Sequence, residues 1–291
     1  MESQNILSQS RPDADAGDPD TVTVHIRTRY DSYILAWHDI YDGFSNWHLW
    51  FYLGWNDILS RYRRSVLGPL WMTLNMAIMT GLTGILYGSL FHMDLRSYLP
   101  FLCAGMMLWS TFSNIVMESC VAFIEARHML TQMHMTLSSF VFRTLWRNTI
   151  VFLHMVVVFV VVAVIFQQSV DASLFLIIPG LLLWVLNGLW LGLLLGTLAA
   201  RFRDLPQVMG SLLQVGFFLT PILWKPDMLG NRIYLADANP LYHFLELVRG
   251  PLLGTAPATL SWLFTIAITI TGSAVAFWVF ARGRPRVPFW M

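Results

Sequence analysis

Six long stretches of this chain contain no Asp, Glu, Lys or Arg: residues 65–91, 97–117, 148–166, 172–200, 205–224 and 259–281. A helix needs about 20 apolar residues to cross the hydrocarbon core of a bilayer. Each run is long enough to read as a spanning helix. Arg201, Arg203 and Asp204 leave only a short turn between the fourth and fifth. The third is rich in valine, from Val156 to Val162, a composition suited to a lipid-facing or buried helix. Over the chain 56% of residues are hydrophobic and 12% charged. Soluble domains average about 25% charged, so a water-facing surface of ordinary size cannot be built.

The arginines give an orientation. Arg61, Arg63 and Arg64 precede the first run, Arg127, Arg143 and Arg147 lie between second and third, and Arg201 and Arg203 between fourth and fifth. Arg282, Arg284 and Arg286 follow the sixth. The alternate connections hold only Arg96, Lys225, Arg232 and Arg249. Cytoplasmic loops collect Lys and Arg, so the first set is expected inside, with both termini. A net charge of +1 offers no nucleic-acid footprint.

Residues 1–43 are acidic at their start, with Asp13, Asp15, Asp18 and Asp20 among Pro and Gly. They lack the basic start and apolar run of a signal peptide and read as partly disordered. Residues 44–64 differ. Trp47, Leu49, Trp50, Phe51, Leu53, Trp55, Ile58 and Leu59 alternate with polar positions, and the basic end follows. That pattern suits a helix lying in the cytoplasmic interface. Asn46, His48, Asn56 and Asp57 argue against a seventh span.

Between the fifth and sixth runs, Asn239-Pro240 is a helix start. Leu241, Phe244, Leu245, Val248 and Leu252 then share one face, and His243, Glu246 and Arg249 another. Gly250-Pro251 closes the element. With the Thr220-Pro221 break, this predicts re-entrant helices at an outer mouth, where irregular backbone must be covered by protein or water. Pro221, Asn239, Pro240, Phe244 and Arg249 are candidates for an outer gate. Gly188, Gly192 and Gly196 stripe the fourth run, and Gly81, Gly84 and Gly88 the first. Small residues at this spacing serve packing within a subunit or between subunits. The expected architecture is an all-α membrane protein: a six-helix domain over 65–282, the interfacial helix before it, and a cytoplasmic tail at 283–291.

Several chemistries are missing. A P-loop needs a glycine-rich turn and a Lys before Ser or Thr, but the one lysine, Lys225, precedes Pro226. Any ATP must be bound by another chain. Cys103 and Cys120 fall 17 residues apart in one run, roughly 25 Å along a helix, too far for a disulfide. Glu125 and His128 make an incomplete metal site, and His154 stands alone on an apolar helix as a core histidine. Glu118, Glu125, His128 and His134 form one cluster that a membrane-embedded enzyme acting on a lipid-linked sugar would use.

Three ordered motifs carry a family resemblance. The first runs from Asp57 through Arg61, Tyr62, Arg63, Arg64, Ser65, Leu67, Gly68 and Leu70 to Trp71. The second is Arg201-Phe202-Arg203-Asp204-Leu205, leading through Gln214, Phe217 and Phe218 to Thr220-Pro221-Ile222-Leu223-Trp224. The third is Asn239-Pro240-Leu241 with Val248-Arg249-Gly250-Pro251-Leu252-Leu253-Gly254. Over about residues 45–285 the chain resembles the type-2 ABC exporter permeases for O-antigen, capsule, teichoic acid and galactan. The long acidic segment before residue 44 departs from that pattern. So does 122–139, which lacks the basic, proline-containing stretch of many O-antigen members.

The resemblance implies two permeases and two separate ATPase subunits in the inner (plasma) membrane. ATP and Mg would bind to the partner, with no cofactor on this chain. The loop between second and third spans would dock on the ATPase through Glu125, Arg127, His128, Met129 and Gln132. Export of a lipid-linked polysaccharide is the expected activity, and an ABC-2 exporter of a drug or small lipid is the alternative within transport. Aromatic faces bind sugar rings, which makes Trp71, Tyr87, Trp109, Phe112, Phe217, Phe218 and Trp224 candidates for the translocation path. The same residue types also serve as interface belts and core. Arg61, Arg63 and Arg64 could fork onto a lipid diphosphate at the cytoplasmic entrance, or simply fix topology.

Overall fold

The computed structural model describes residues 19–63, 65–68, 70–132, 135–169 and 171–290, with the backbone alone at 19–31, 128 and 130–132. Arg64 and His134, and the side chains of His128 and Gln132, therefore lie outside the described residues, as does the start of the acidic segment.

The described residues are helical and contain no strand. In chain order the helices are α1 (Pro19–Ser45), α2 (Trp47–Tyr62), α3 (Leu70–Leu90), α4 (Leu95–Gln132), α5 (Leu137–Ile165), α6 (Ile177–Arg201), α7 (Leu205–Leu219), α8 (Tyr234–Asp237), α9 (Pro240–Leu252), α10 (Thr259–Gly283) and α11 (Val287–Trp290). Short 3-10 turns at Ala172–Leu176 and Pro226–Arg232 precede α6 and α8. Among the described residues five stretches are long and apolar enough to cross a membrane: Leu70–Leu90, Leu95–Arg127, Leu137–Ile165, Ala172–Arg201 and Thr259–Gly283.

The fifth apolar run of the sequence, 205–224, takes a different form. Its helix, α7, ends at Leu219. At about 1.5 Å per residue its 15 residues reach about 22 Å, short of the roughly 30 Å core. The cause is Pro221, which disfavours helical backbone at the residue before it. Thr220 is extended, at φ −87° and ψ 138°. The chain nevertheless continues along α4. Gly210 lies against Met117, Gly216 against Trp109, and Ile222 against Gly105. The Tyr98 hydroxyl donates to the Leu223 carbonyl at 2.6 Å, and the Lys225 ammonium to the Ser97 hydroxyl at 3.2 Å. From Met117 back to Ser97, α4 rises about 30 Å, so α7 and its extended continuation cover that same length antiparallel to α4.

α4 is the central element and packs against α3, α5, α6, α7 and α9. The glycines of α6 explain how closely its neighbours approach. A Cβ at Gly188 would meet Leu145, one at Gly192 would meet Val141, and one at Gly196 would meet the Phe123 ring. This stripe is thus used inside the chain, against α4 and α5. On α3, Gly84 and Gly88 receive Leu99 and Leu95 of α4, while Gly81 has open space. α3 also buries Met76 and Thr80, but its other face is bare: Trp71, Leu74, Ile78, Leu82, Ile85 and Leu86 are exposed. Half of α5 also faces outward, through Leu153, Val157, Val160, Val161 and Val164.

The charged groups sort to two ends. Arg96 bonds the Phe166 carbonyl and Gln167 at one end of the α4–α5 pair. Arg147 bonds Glu118 at the other. From Arg147 to the end of α5 at Ile165 the helix rises about 27 Å, close to the thickness of a hydrocarbon core. At the arginine-rich end, Asp39 of α1 is 3% exposed. Its carboxylate accepts from the Ser138 backbone N–H at 3.0 Å and from Arg284 at 2.7 Å. It thereby satisfies an orphan donor in the first turn of α5. Residues 19–43 of the segment read as acidic and partly disordered thus belong to a helix, α1, which runs on two residues into the stretch read as interfacial and is tied to α5 and to Arg284 at the end of α10. The C-terminal segment is docked as well: Val287 is fully buried and Arg201 lies over the Trp290 ring.

Candidate functional site

α2 crosses α5 near its start. Only Gly54 and Ile58 of α2 are buried. Gly54 admits the Trp146 ring and the Arg143 carbonyl, and a Cβ there would stand 2.8 Å from Trp146. Phe51 stacks on Trp146 at 4.3 Å between centroids, and Trp50 on Phe142 at 5.7 Å. The outer face of α1 and α2 stays aromatic and exposed, through Trp37, Tyr41, Phe44, Trp47, Tyr52 and Trp55. That composition suits a membrane–water boundary.

Beside these rings is an ion-pair network built by three helices. Asp57 of α2 accepts from Arg143 through both oxygens, at 2.8 and 2.5 Å. Arg147 reaches the same carboxylate at 2.9 Å. Arg147 also forks onto Glu118 of α4 at 3.1 and 2.9 Å, and Asn148 donates to that oxygen at 2.6 Å. Arg61 approaches Glu118 at 3.5 Å with half its side chain exposed. Arg143 and Arg147 are one helical turn apart, so both face Asp57. Asp57, Glu118, Arg143 and Arg147 balance one another in charge and are mostly sheltered, which makes each a costly loss. Sequence reasoning gave Arg143 and Arg147 only to topology. The available signal was their spacing of four at the start of an apolar helix, with Asp57 on the preceding amphipathic element.

The residues expected to couple to an ATPase lie on the far end of α4. This helix has 38 residues, or about 57 Å, well beyond a bilayer core. The 14 residues from Glu118 to Gln132 rise about 21 Å. Glu125 and Arg127 are exposed there, and Met129 is half-buried with its Sδ 3.4 Å from Arg143. Arg63 is exposed at the end of α2. Next to it a cavity of about 430 Å³ is lined by Asn56, Leu59, Ser60, Tyr62 and Arg63.

At the opposite end, α9 holds the broken end of α7. The Asn239 side chain accepts from the Leu241 N–H at 2.9 Å and donates to the Thr220 hydroxyl at 3.1 Å. It therefore caps α9 at Pro240 and fixes the break together. Arg249, placed on a polar face by periodicity, is 1% exposed. It forks onto Glu246 at 3.1 and 2.7 Å, donates to the Pro221 carbonyl, and lies 4.3 Å from the Phe101 ring centroid. His243, from the same face, is buried between Ser261 and the Asp237 carbonyl. The Asp237 carbonyl is an acceptor, so Nε2 carries a proton.

The aromatic candidates divide. Trp109, Phe112, Phe217 and Phe244 come together in one cluster, with centroid separations of 5.6 to 5.9 Å. Trp184, not singled out in the sequence, completes it by stacking on Phe244 at 4.5 Å and donating its indole N–H to the Phe244 carbonyl at 3.1 Å. A tryptophan in mid-span, away from the interface belts, was its signal. Trp71 is 52% and Phe218 60% exposed. Tyr87 is half-buried against Phe91, and Trp224 donates to the Phe218 carbonyl.

The acids weighed for catalysis are spread apart. Glu118 is engaged by Arg147 and Asn148. Glu125 lies two helical turns further along α4. Among the described residues no group of three or more His, Cys, Asp or Glu could hold a metal ion, and both cysteines are free and buried.

Comparison with known proteins adds a family. The family described as ABC-2 type transporter matches residues 48–253. An O-antigen export system permease protein RfbA of Klebsiella pneumoniae is 22% identical over 225 residues, covering 75% of this chain and 87% of that protein. A second Klebsiella pneumoniae protein of that name is 24% identical over 187 residues, 64% of this chain and 72% of its own. The Myxococcus xanthus protein so named is 25% identical over 192 residues, with the same two shares.

Proposed function

The chain belongs to the ABC-2 type transporter family, and from that premise we propose that it is the membrane-spanning subunit of an ATP-driven exporter of lipid-linked polysaccharide. Members of this family are transport subunits, and a permease of this kind works with an ATP-binding partner. The observation that carries the cargo class is the similarity to O-antigen export permeases over up to three quarters of the chain. In our reading two copies of this chain pair with two ATPase subunits that bind ATP and Mg. The complex sits in the inner (plasma) membrane with both termini in the cytoplasm.

That topology requires six crossings. The five long helices supply five, and α7 with residues 220–225 supplies the sixth. Support comes from the contacts that carry this segment along α4 from Met117 to Ser97. α9 and its flanking turns then form the re-entrant cover of the outer mouth. Pro221, Asn239, Pro240, Phe244 and Arg249 act as its gate.

The end of α4 and the start of α5 dock on the ATPase through Glu125, Arg127, His128, Met129 and Gln132. ATP favours one arrangement of the ATPase pair, and the docked hairpin passes that preference to the membrane domain. Arg61, Arg63 and Arg64 receive the lipid phosphate at the cytoplasmic entrance. Trp71, Tyr87, Trp109, Phe112, Phe217, Phe218 and Trp224 guide the sugar chain.

Expressing the tagged chain with its ATPase in cells lacking their own exporter tests the reading. Co-purification and restored O-antigen at the cell surface are expected. Export that continues without any ATPase would overturn it.

A further inference from the structure

We infer that Asp57 is the positioning residue that makes α2 move with the α4–α5 hairpin, so that a push on the hairpin tip reaches the membrane boundary as a displacement of α2. The inference rests on the transporter reading above and adds a mechanical role that the reading does not assign.

The packing of α2 motivates it. A helix held by a large apolar face would follow the bundle without help, yet α2 buries only Gly54 and Ile58 fully. Its Trp47, Tyr52 and Trp55 face outward. What fastens it is directional: two ring stacks onto α5 and the carboxylate of Asp57, both of whose oxygens are taken by Arg143 and Arg147. Arg147 in turn grips Glu118. One guanidinium therefore binds α2 and α4 from its seat on α5, and the three helices meet at one point.

That point is placed for leverage. It lies ten residues from the start of α5, or about 15 Å, and about 21 Å from the end of α4. Both helices are continuous between the joint and the tip, so displacement at the tip arrives undiminished. Gly54 works with Asp57: without a Cβ, the α2 backbone seats against α5 and the carboxylate reaches both arginines.

The test measures export per ATP hydrolysed, a ratio that a change in protein amount leaves unmoved. In the purified complex and in cells, Asp57→Asn should lower the ratio about tenfold, the size of an ordinary coupling free energy. Asp57→Glu, which keeps the charge, should recover most of it. In a second arm, Asp57→Cys with Arg143→Cys is bridged by a reducible bifunctional thiosulfonate. The native cysteines are buried, which leaves the new pair as the reactive thiols. Bridging should restore the ratio and reduction should remove it again, which decides the matter even where Asp57→Asn fails to accumulate.

An unchanged ratio in Asp57→Asn, or a bridge that blocks export while hydrolysis continues, would overturn the inference. A wild-type chain that recovers no ATPase would instead overturn the transporter reading.

Discussion

Glu118 on α4 takes two hydrogen bonds from the Arg147 guanidinium on α5, at 3.1 and 2.9 Å, at the level where both helices leave their apolar stretches. Arg147 is 9% exposed, so it cannot turn to water when Glu118 is lost, although Asp57 still holds its other edge. Glu118→Gln should therefore destabilise the purified protein by about 1–3 kcal/mol, read as a lower unfolding midpoint in detergent. Glu118→Gln combined with Arg147→Met removes both charges and should cost less than the two single changes added. Additive losses would mean that the pair is not a coupled unit.

Gly192 of α6 and Gly81 of α3 should respond oppositely. Gly192→Ala puts a methyl group into Val141, which has little room to shift within the α4–α5–α6 core. A cost of about 1–3 kcal/mol is expected for such overpacking. At Gly81 nothing stands within 4 Å, and alanine is the better helix former by about 1 kcal/mol. Gly81→Ala should leave the midpoint equal or higher. A fall there, with a shift to a smaller species on size exclusion, would place Gly81 at a contact between two copies.

The parts of this fold that were legible in the sequence are those the bilayer acts on locally. Uncharged runs and the sorting of arginines need no knowledge of which helix touches which, and Arg96 and Arg147 lie at opposite ends as their positions in the chain imply. The helix start at Asn239-Pro240 was legible for the same reason, since a cap is made within three residues. The Thr220-Pro221 break was visible too, although run length alone hid that α7 would stop short of it. What could not be read were contacts between distant segments. Asp57 meets residues 86 and 90 positions away, and the same Arg143 and Arg147 serve topology equally well without it. The burial of His243 and Arg249 escaped periodicity because the polar side of α9 meets other polar groups of the protein instead of water.

Where α9 holds the end of α7, Arg249→Lys should behave as a loss despite keeping its charge. A single ammonium cannot fork onto Glu246 while also donating to the Pro221 carbonyl and lying flat on Phe101. Export should fall severalfold and the unfolding midpoint should drop. Asn239→Ala removes the cap of α9, worth about 1 kcal/mol, and also frees Thr220. Wild-type export in Arg249→Lys would show that the planar fork is not needed to hold the break at Pro221.

The crossing count can be decided by thiol accessibility, because five and six crossings assign different sides to the same residues. His92 stands between α3 and α4, Arg203 between α6 and α7, Asp227 between α7 and α10, and Arg286 after α10, and the native thiols are buried. Each is changed singly to Cys and labelled in intact cells with a membrane-impermeant maleimide. If α7 and residues 220–225 cross, His92→Cys and Asp227→Cys label at once, and Arg203→Cys and Arg286→Cys label only after permeabilisation. If α7 turns back, Asp227 shares the side of Arg203 and α10 carries Arg286 to the other. The contacts favour crossing: Lys225 bonds Ser97 at the start of α4, and Gly210 lies beside Met117 some 30 Å further along it. A segment that doubled back would return to the level of Met117 and could not reach Ser97. Labelling of Asp227→Cys only after permeabilisation would overturn the six-crossing topology.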